Sequence, residues 1–206
     1  MVKTIMNTLI VEKVSKIFIN NKIVSANEAS YLKYGLYLII SSVNTFFAII
    51  VISFLFGKVI ESIVFSVSFF IIRSLCGGYH CKSSIKCFFT TLTIYFLFVL
   101  GTFLPKDRMH ITVFVLSSLG IISILFLAPI TNINNVVSVR RQKISKIAVI
   151  VLCILHIVSL LCIKNVIGIE IKYAVSYTLA AVGLMLIIER IRLTLLSKNR
   201  LIDRIF

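Results

Sequence analysis

Charge is scarce in this chain of 206 residues, at 14% against about a quarter in an average soluble domain. Acidic charge is scarcer still, with seven Asp and Glu against 22 Lys and Arg. Too few ionic groups remain to solvate a globular surface, which excludes an ordinary soluble domain. Proline is almost missing: Pro105 and Pro129 are the only two, and both fall at the ends of apolar runs, so those runs are free to form unbroken helices. The five cysteines are an odd number with no C-x-x-C pair, which excludes a disulfide framework and a paired zinc ribbon. There is no internal repeat and no low-complexity stretch. The N-terminal region has neither an uninterrupted apolar core nor a small-residue cleavage site, so the N-terminus is expected to be retained.

What is present is apolar residue, 59% of the chain, with a mean hydropathy of +1.08. Residues 1–20 place Val2, Ile5, Met6, Leu9, Ile10, Val14, Ile17 and Phe18 at three- and four-residue steps, with Lys3, Asn7, Glu12, Lys13, Lys16 and Asn20 opposite. That pattern predicts a helix lying in the membrane interface. Six apolar runs follow: 34–57, 62–72 (with 59–61 needed for length), 87–105, 111–130, 147–163 and 173–188. A span needs about 20 residues, so six account for most of the chain. The fold class expected is all-α: one polytopic membrane-embedded domain over 1–206 with about six transmembrane helices and an interfacial N-terminal helix.

Alternate connections differ in positive charge. Five Lys precede the first span, and Arg73, Lys82 and Lys86 lie between the second and third. Arg140, Arg141, Lys143 and Lys146 lie between the fourth and fifth, and five more Lys and Arg follow the sixth. That side carries 17 of the 22, and the other has Lys58, Lys106, Arg108, Lys164 and Lys172. The positive-inside rule puts both termini in the cytoplasm of a multi-pass protein of the cell membrane. The net charge of +15 is then an orientation signal and a surface for anionic lipids. Nucleic acid, which needs a soluble basic face, is not an expected partner.

One hydrophilic segment concentrates chemistry. Residues 73–87, Arg-Ser-Leu-Cys-Gly-Gly-Tyr-His-Cys-Lys-Ser-Ser-Ile-Lys-Cys, bring a glycine pair, His80 and three cysteines between two apolar runs, on the cytoplasmic side by the charge count. Three readings compete on composition: an inert loop, a metal site and a Cys/His nucleophilic site. Cys76, His80, Cys81 and Cys87 are zinc-ligand types, but their spacing is poor, and neither a metal nor a cofactor is expected. For a nucleophile the pair is His80 with Cys87. On one straight helix, seven residues would separate them by about 10.5 Å along the axis, so the backbone must break between them. Gly77-Gly78 and Ser83-Ser84 supply a break and a restart. With Ser84 as N-cap, Cys87 occupies position N3. There the helix dipole, Lys82, Lys86 and Arg73 favour the thiolate while burial opposes it, and the free N–H groups of the helix start can hold an oxyanion.

Arg73, Gly78, His80 and Cys87, with His and Cys seven apart after a basic-ended apolar span, resemble the signature of the accessory gene regulator B family. Ala128-Pro129, at the end of the fourth span, resembles a weaker feature of that family. The resemblance implies a membrane-embedded cysteine endopeptidase of Gram-positive quorum sensing. Such an enzyme cleaves a short precursor, with an amphipathic leader and an acidic tail, whose product becomes a cyclic thiolactone signal. It implies Cys87 as nucleophile and His80 as base, Arg73 and Gly78 in support, and a homodimer. No third catalytic acid is assigned, and Glu28, Glu61 and Glu189 are only the acids nearest to span ends. Cys76 and Cys81 are outside the pattern. The rival classes are a small membrane transporter or peptide exporter, which the absence of a repeat and of charges within the spans disfavours, and a scaffold, which leaves the His80/Cys87 pair unexplained. His156, in the middle of the fifth span, is expected to be a histidine bonded across helices. His110 is expected in an outer connection, solvated. Ser41, Ser42, Asn44 and Thr45 are expected to serve hydrogen bonding.

Overall fold

The computed structural model describes residues 5–21, 24, 29–77, 84–130, 139–162 and 168–202. They form seven helices and no strand among the described residues: α1 (Ile5–Asn20), α2 (Ala29–Phe56), α3 (Val59–Cys76), α4 (Ser84–Gly101), α5 (Lys106–Leu127), α6 (Val139–Cys162) and α7 (Ile169–Ile202). Four stretches are long and apolar enough to cross a membrane: Gly35–Phe56, Val59–Cys76, Lys106–Leu127 and Val139–Leu161. They carry the expected first, second, fourth and fifth spans. The third run is the shorter apolar helix Lys86–Gly101, and the sixth lies inside α7. This is an all-α multi-pass membrane protein.

Several boundaries differ from those the sequence suggests, for identifiable reasons. The second span starts three residues before its uncharged run, because Glu61 is paired with Lys58 at 3.6 Å and the helix carries it. Pro105 does not close the third span. Its φ of −54° suits it to the N-cap of α5, where its carbonyl accepts the Met109 N–H at 2.9 Å. His110 therefore lies in the second turn of α5, exposed, and not in a connection. The basic stretch Arg140 to Lys146 is helical as well, forming the exposed first turns of α6, since Arg, Lys and Gln are good helix formers once the chain leaves the apolar phase.

Packing gathers the chain into two units, residues 1–57 with 80–96, and residues 58–79 with 97–206. In the first, α1 lies against α2. The α1 residues turned inward are Val11 and Ser15, whose hydroxyl donates to the Glu12 carbonyl at 3.1 Å, whereas Ile17 of the predicted apolar stripe is 57% exposed. The polar patch of α2 bonds within its own helix, Thr45 Oγ1 donating to the Ser41 carbonyl at 2.9 Å.

The second unit is built on α7, whose buried positions (Tyr173, Ala174, Ser176, Thr178, Leu179, Val182, Leu186) recur every three or four residues. Helix α5 runs parallel to it, with Ser117 beside Ser176, Gly120 beside Leu179 and Ala180, and Ser123 beside Gly183. Small residues let the two backbones approach: a Cβ on Gly120 would lie 2.5 Å from the Leu179 carbonyl carbon and 2.6 Å from the Ala180 nitrogen. Helix α3 packs on α7 through Ser62, Phe65, Ser66, Phe69 and Ile72. At the heart of the unit, Phe98 stacks on Phe65 at 4.7 Å and on Tyr173 at 5.5 Å. The expected cross-helix histidine is there too. His156 Nε2 of α6 lies 3.0 Å from Ser117 Oγ and 3.2 Å from Ser176 Oγ, and Ser117 donates to Ser176 at 2.8 Å, joining α5, α6 and α7. The imidazole borders a cavity of about 110 Å³ lined also by Ser68, Ile72 and Leu152.

Candidate active site

Helix α3 delivers Arg73 in its last turn, with the guanidinium 5.5 Å from the centre of the Phe69 ring. This is a cation–π distance, natural for a charge leaving an apolar helix. Cys76, the last residue of α3, is fully buried and its thiol is free, consistent with a packing role. Gly77 then ends the helix. Its φ of +69° with ψ of −142° belongs to glycine, and its N–H closes the last turn by donating to the Arg73 carbonyl at 3.1 Å. The break expected at the glycine pair is therefore seen at Gly77. Gly78, Tyr79, His80, Cys81, Lys82 and Ser83 lie outside the described residues, so the geometry of the His80/Cys87 pair and of the four metal-ligand types does too.

The chain resumes as α4, with Ser84 as its first helical residue and not its N-cap. The helix begins one residue earlier than the Ser84 cap requires, so Cys87 is the fourth residue and not the third. The N–H groups without intrahelical partners by helix geometry then belong to the residues just before it, up to Lys86. Cys87 is half-buried with a free thiol. Its face of α4 continues into the protein: Thr91, one turn on, is buried and donates to the Cys87 carbonyl at 3.0 Å, and Tyr95 and Phe98 follow on that face. Lys86 beside it is exposed. A partly shielded thiol in the first turn of a helix, next to a lysine, is in the electropositive setting that promotes the thiolate. Among the described residues no group of three His, Cys, Asp or Glu side chains could hold a metal ion.

One feature had no sequence signal beyond the isolated motifs it joins. Ile130, directly after Ala128-Pro129, donates its N–H to the Cys76 carbonyl at 3.0 Å and forms a parallel bridge with Gly77. The Ala128-Pro129 peptide is cis. The two motifs lie 50 residues apart, a separation at which periodicity carries no information.

An all-helical, multi-pass membrane protein with a free thiol at a helix start just past a glycine-terminated span is the class these features define. Over residues 10–191 the chain matches Accessory gene regulator B, and it belongs to that family. It is 32% identical over 94 residues to an AgrB-like protein of Clostridium acetobutylicum, a match covering 46% of this chain and 44% of that relative's length. No solved structure matches. Family membership ties the chain to the accessory gene regulator system.

Proposed function

We propose that the protein is a cysteine endopeptidase that cuts a short precursor peptide and hands its signal segment on for cyclisation. The observation that supports it most is Cys87: a free, half-buried thiol in the first turn of α4, seven residues after His80 in a chain of this family. His80 takes the Cys87 proton. The thiolate attacks the carbonyl at the C-terminal boundary of the signal segment, and the N–H groups of the α4 start receive the developing oxyanion. The C–N bond breaks, the imidazolium returns the proton to the departing amine of the tail, and the signal segment remains on Cys87 as a thioester. A thiolate within the bound segment then attacks that thioester, closing a thiolactone and releasing Cys87. One thioester replaces another, so the bond energy is nearly balanced. Exclusion of water preserves it, and a site at the edge of a helical bundle provides the shelter. Forming a thioester from an amide is uphill, so loss of the cut tail drives the first step.

Arg73 and Gly78 support the site, and Ser84 starts the helix that presents the nucleophile. In this reading the protein crosses the membrane six times, with both termini and the active segment in the cytoplasm, where 17 of its 22 positive charges face anionic lipids and an acidic substrate tail. It works as a homodimer. The deciding experiment is intact mass of the purified protein after incubation with its precursor. A hydroxylamine-sensitive adduct of the size of the signal segment, with free tail, is expected for wild type and not for Cys87→Ala or His80→Ala. Cleavage by Cys87→Ala at the wild-type rate would refute the proposal.

A further inference from the structure

The last carbonyls of a helix have no intrahelical partner and must find one elsewhere. At the end of α3 the Cys76 carbonyl finds it not in a local turn but in the N–H of Ile130, at 3.0 Å, just beyond the far end of α5. Gly77 is held at the same point for two independent reasons. Its φ of +69° disfavours any side chain, and a Cβ there would collide with the Ile130 carbonyl oxygen. The approach of Gly77 to Ile130 is backbone against backbone, so no side-chain rotation can relieve an added methyl. The chain on either side of the contact is well anchored: Cys76 is fully buried, and the Ala128 N–H continues the last turn of α5 to the Ile124 carbonyl at 2.9 Å. Pro129, with no N–H of its own, leaves the Ile130 N–H as the first donor beyond α5 able to reach α3.

We propose that Gly77 is a positioning residue of the peptidase. Its bridge to Ile130 fixes the point at which the chain leaves the bundle, three residues before His80, and so sets where the general base can act. This rests on the reading of Cys87 and His80 as nucleophile and base. It gives the Gly-Gly and Ala-Pro motifs one shared purpose, since each supplies one side of the same clamp. Gly77 touches neither substrate nor reacting atoms.

The test uses the full chain in lipid nanodiscs and follows iodoacetamide alkylation of Cys87 by peptide mass across pH, alongside turnover of the precursor. Gly77→Ala is expected to lower kcat about a hundredfold, the scale for misplacing a reacting group by an ångström, with KM within about twofold. It is also expected to shift the Cys87 alkylation profile to that of His80→Ala. Ile130→Ala, which retains the bridging N–H, is expected to keep the wild-type profile, and Ile130→Pro, which removes it, to lose it. A folded Gly77→Ala with wild-type kcat and profile overturns the proposal. Should that variant not fold, amide exchange of the wild-type protein decides: slow exchange at Ile130 is expected, and exchange at the rate of an open loop overturns it. A His80→Ala profile identical to wild type would instead sink the peptidase reading and leave the measured bridge standing.

Discussion

Gly120 and Gly35 make a matched pair for testing the packing of α5 on α7. Both lie inside apolar helices, but a Cβ at Gly35 meets nothing within 4 Å, while one at Gly120 would come 2.5 Å from the Leu179 carbonyl carbon, 2.6 Å from the Ala180 nitrogen and 2.8 Å from the Leu179 Cβ. Ordinary contact needs about 3.5 Å or more, so Gly120→Ala must push the two backbones apart by close to 1 Å. That separation runs along the interface and loosens the Ser117–Ser176–His156 junction one turn away. Overpacking of this kind costs about 1–3 kcal/mol, whereas Gly35→Ala should gain about 0.5–1 kcal/mol from reduced backbone freedom. The two variants should therefore differ by about 2–3 kcal/mol, a factor of roughly 30–150 in the folding equilibrium. Reversible unfolding in mixed micelles, titrated with a denaturing detergent and followed by circular dichroism, reads this directly. Equal midpoints for the two variants would show that α5 and α7 do not meet at Gly120 and would refute the arrangement of the second unit.

Two further outcomes follow from the same unit. Phe98→Ala removes a fully buried ring stacked on both Phe65 and Tyr173 and is expected to destabilise by about 3–5 kcal/mol in the same titration; a loss below about 1 kcal/mol would contradict the stack. His156→Ala removes the link of α6 to Ser117 and Ser176 and enlarges the neighbouring cavity, for an expected loss of about 1–3 kcal/mol with precursor cleavage preserved in the folded fraction. Abolished cleavage in a fully folded His156→Ala protein would mean that the histidine has a part in the chemistry.

The helices were legible because membrane spans announce themselves by length and apolarity, and a charge within them is rare enough to be informative. The same logic misplaced their ends. Glu61 reads as a terminator, yet its pairing with Lys58 lets α3 begin before it, and Arg140 to Lys146 read as a connection because charge was taken for loop when it marks only the exit from the hydrocarbon. Pro105 was visible as a boundary, but its preference for the N-cap makes it the start of α5. The inward face of α1 was not legible, since a small polar residue such as Ser15 can bond its own helix and be buried where the apolar stripe suggested lipid. In the site, Cys87 near a helix start followed from Ser83-Ser84 and missed by one position. The Gly77–Ile130 contact could not be anticipated, because a backbone bridge leaves no side-chain pattern in either partner.

Helix α7 carries a consequence of its own. Its 34 residues, at 1.5 Å each, make a rod of about 51 Å, and the hydrocarbon of a bilayer is only about 30 Å deep. Standing upright, the helix would reach some 20 Å past the lipid as a stiff mast. Its cations Arg190 and Arg192 are thus borne on a shaft continuous with the buried packing surface of the second unit. A force applied to that mast would be felt as a tilt at Ser176 and Gly183, where α7 meets its neighbours, and a floppy tail of the same composition would transmit nothing.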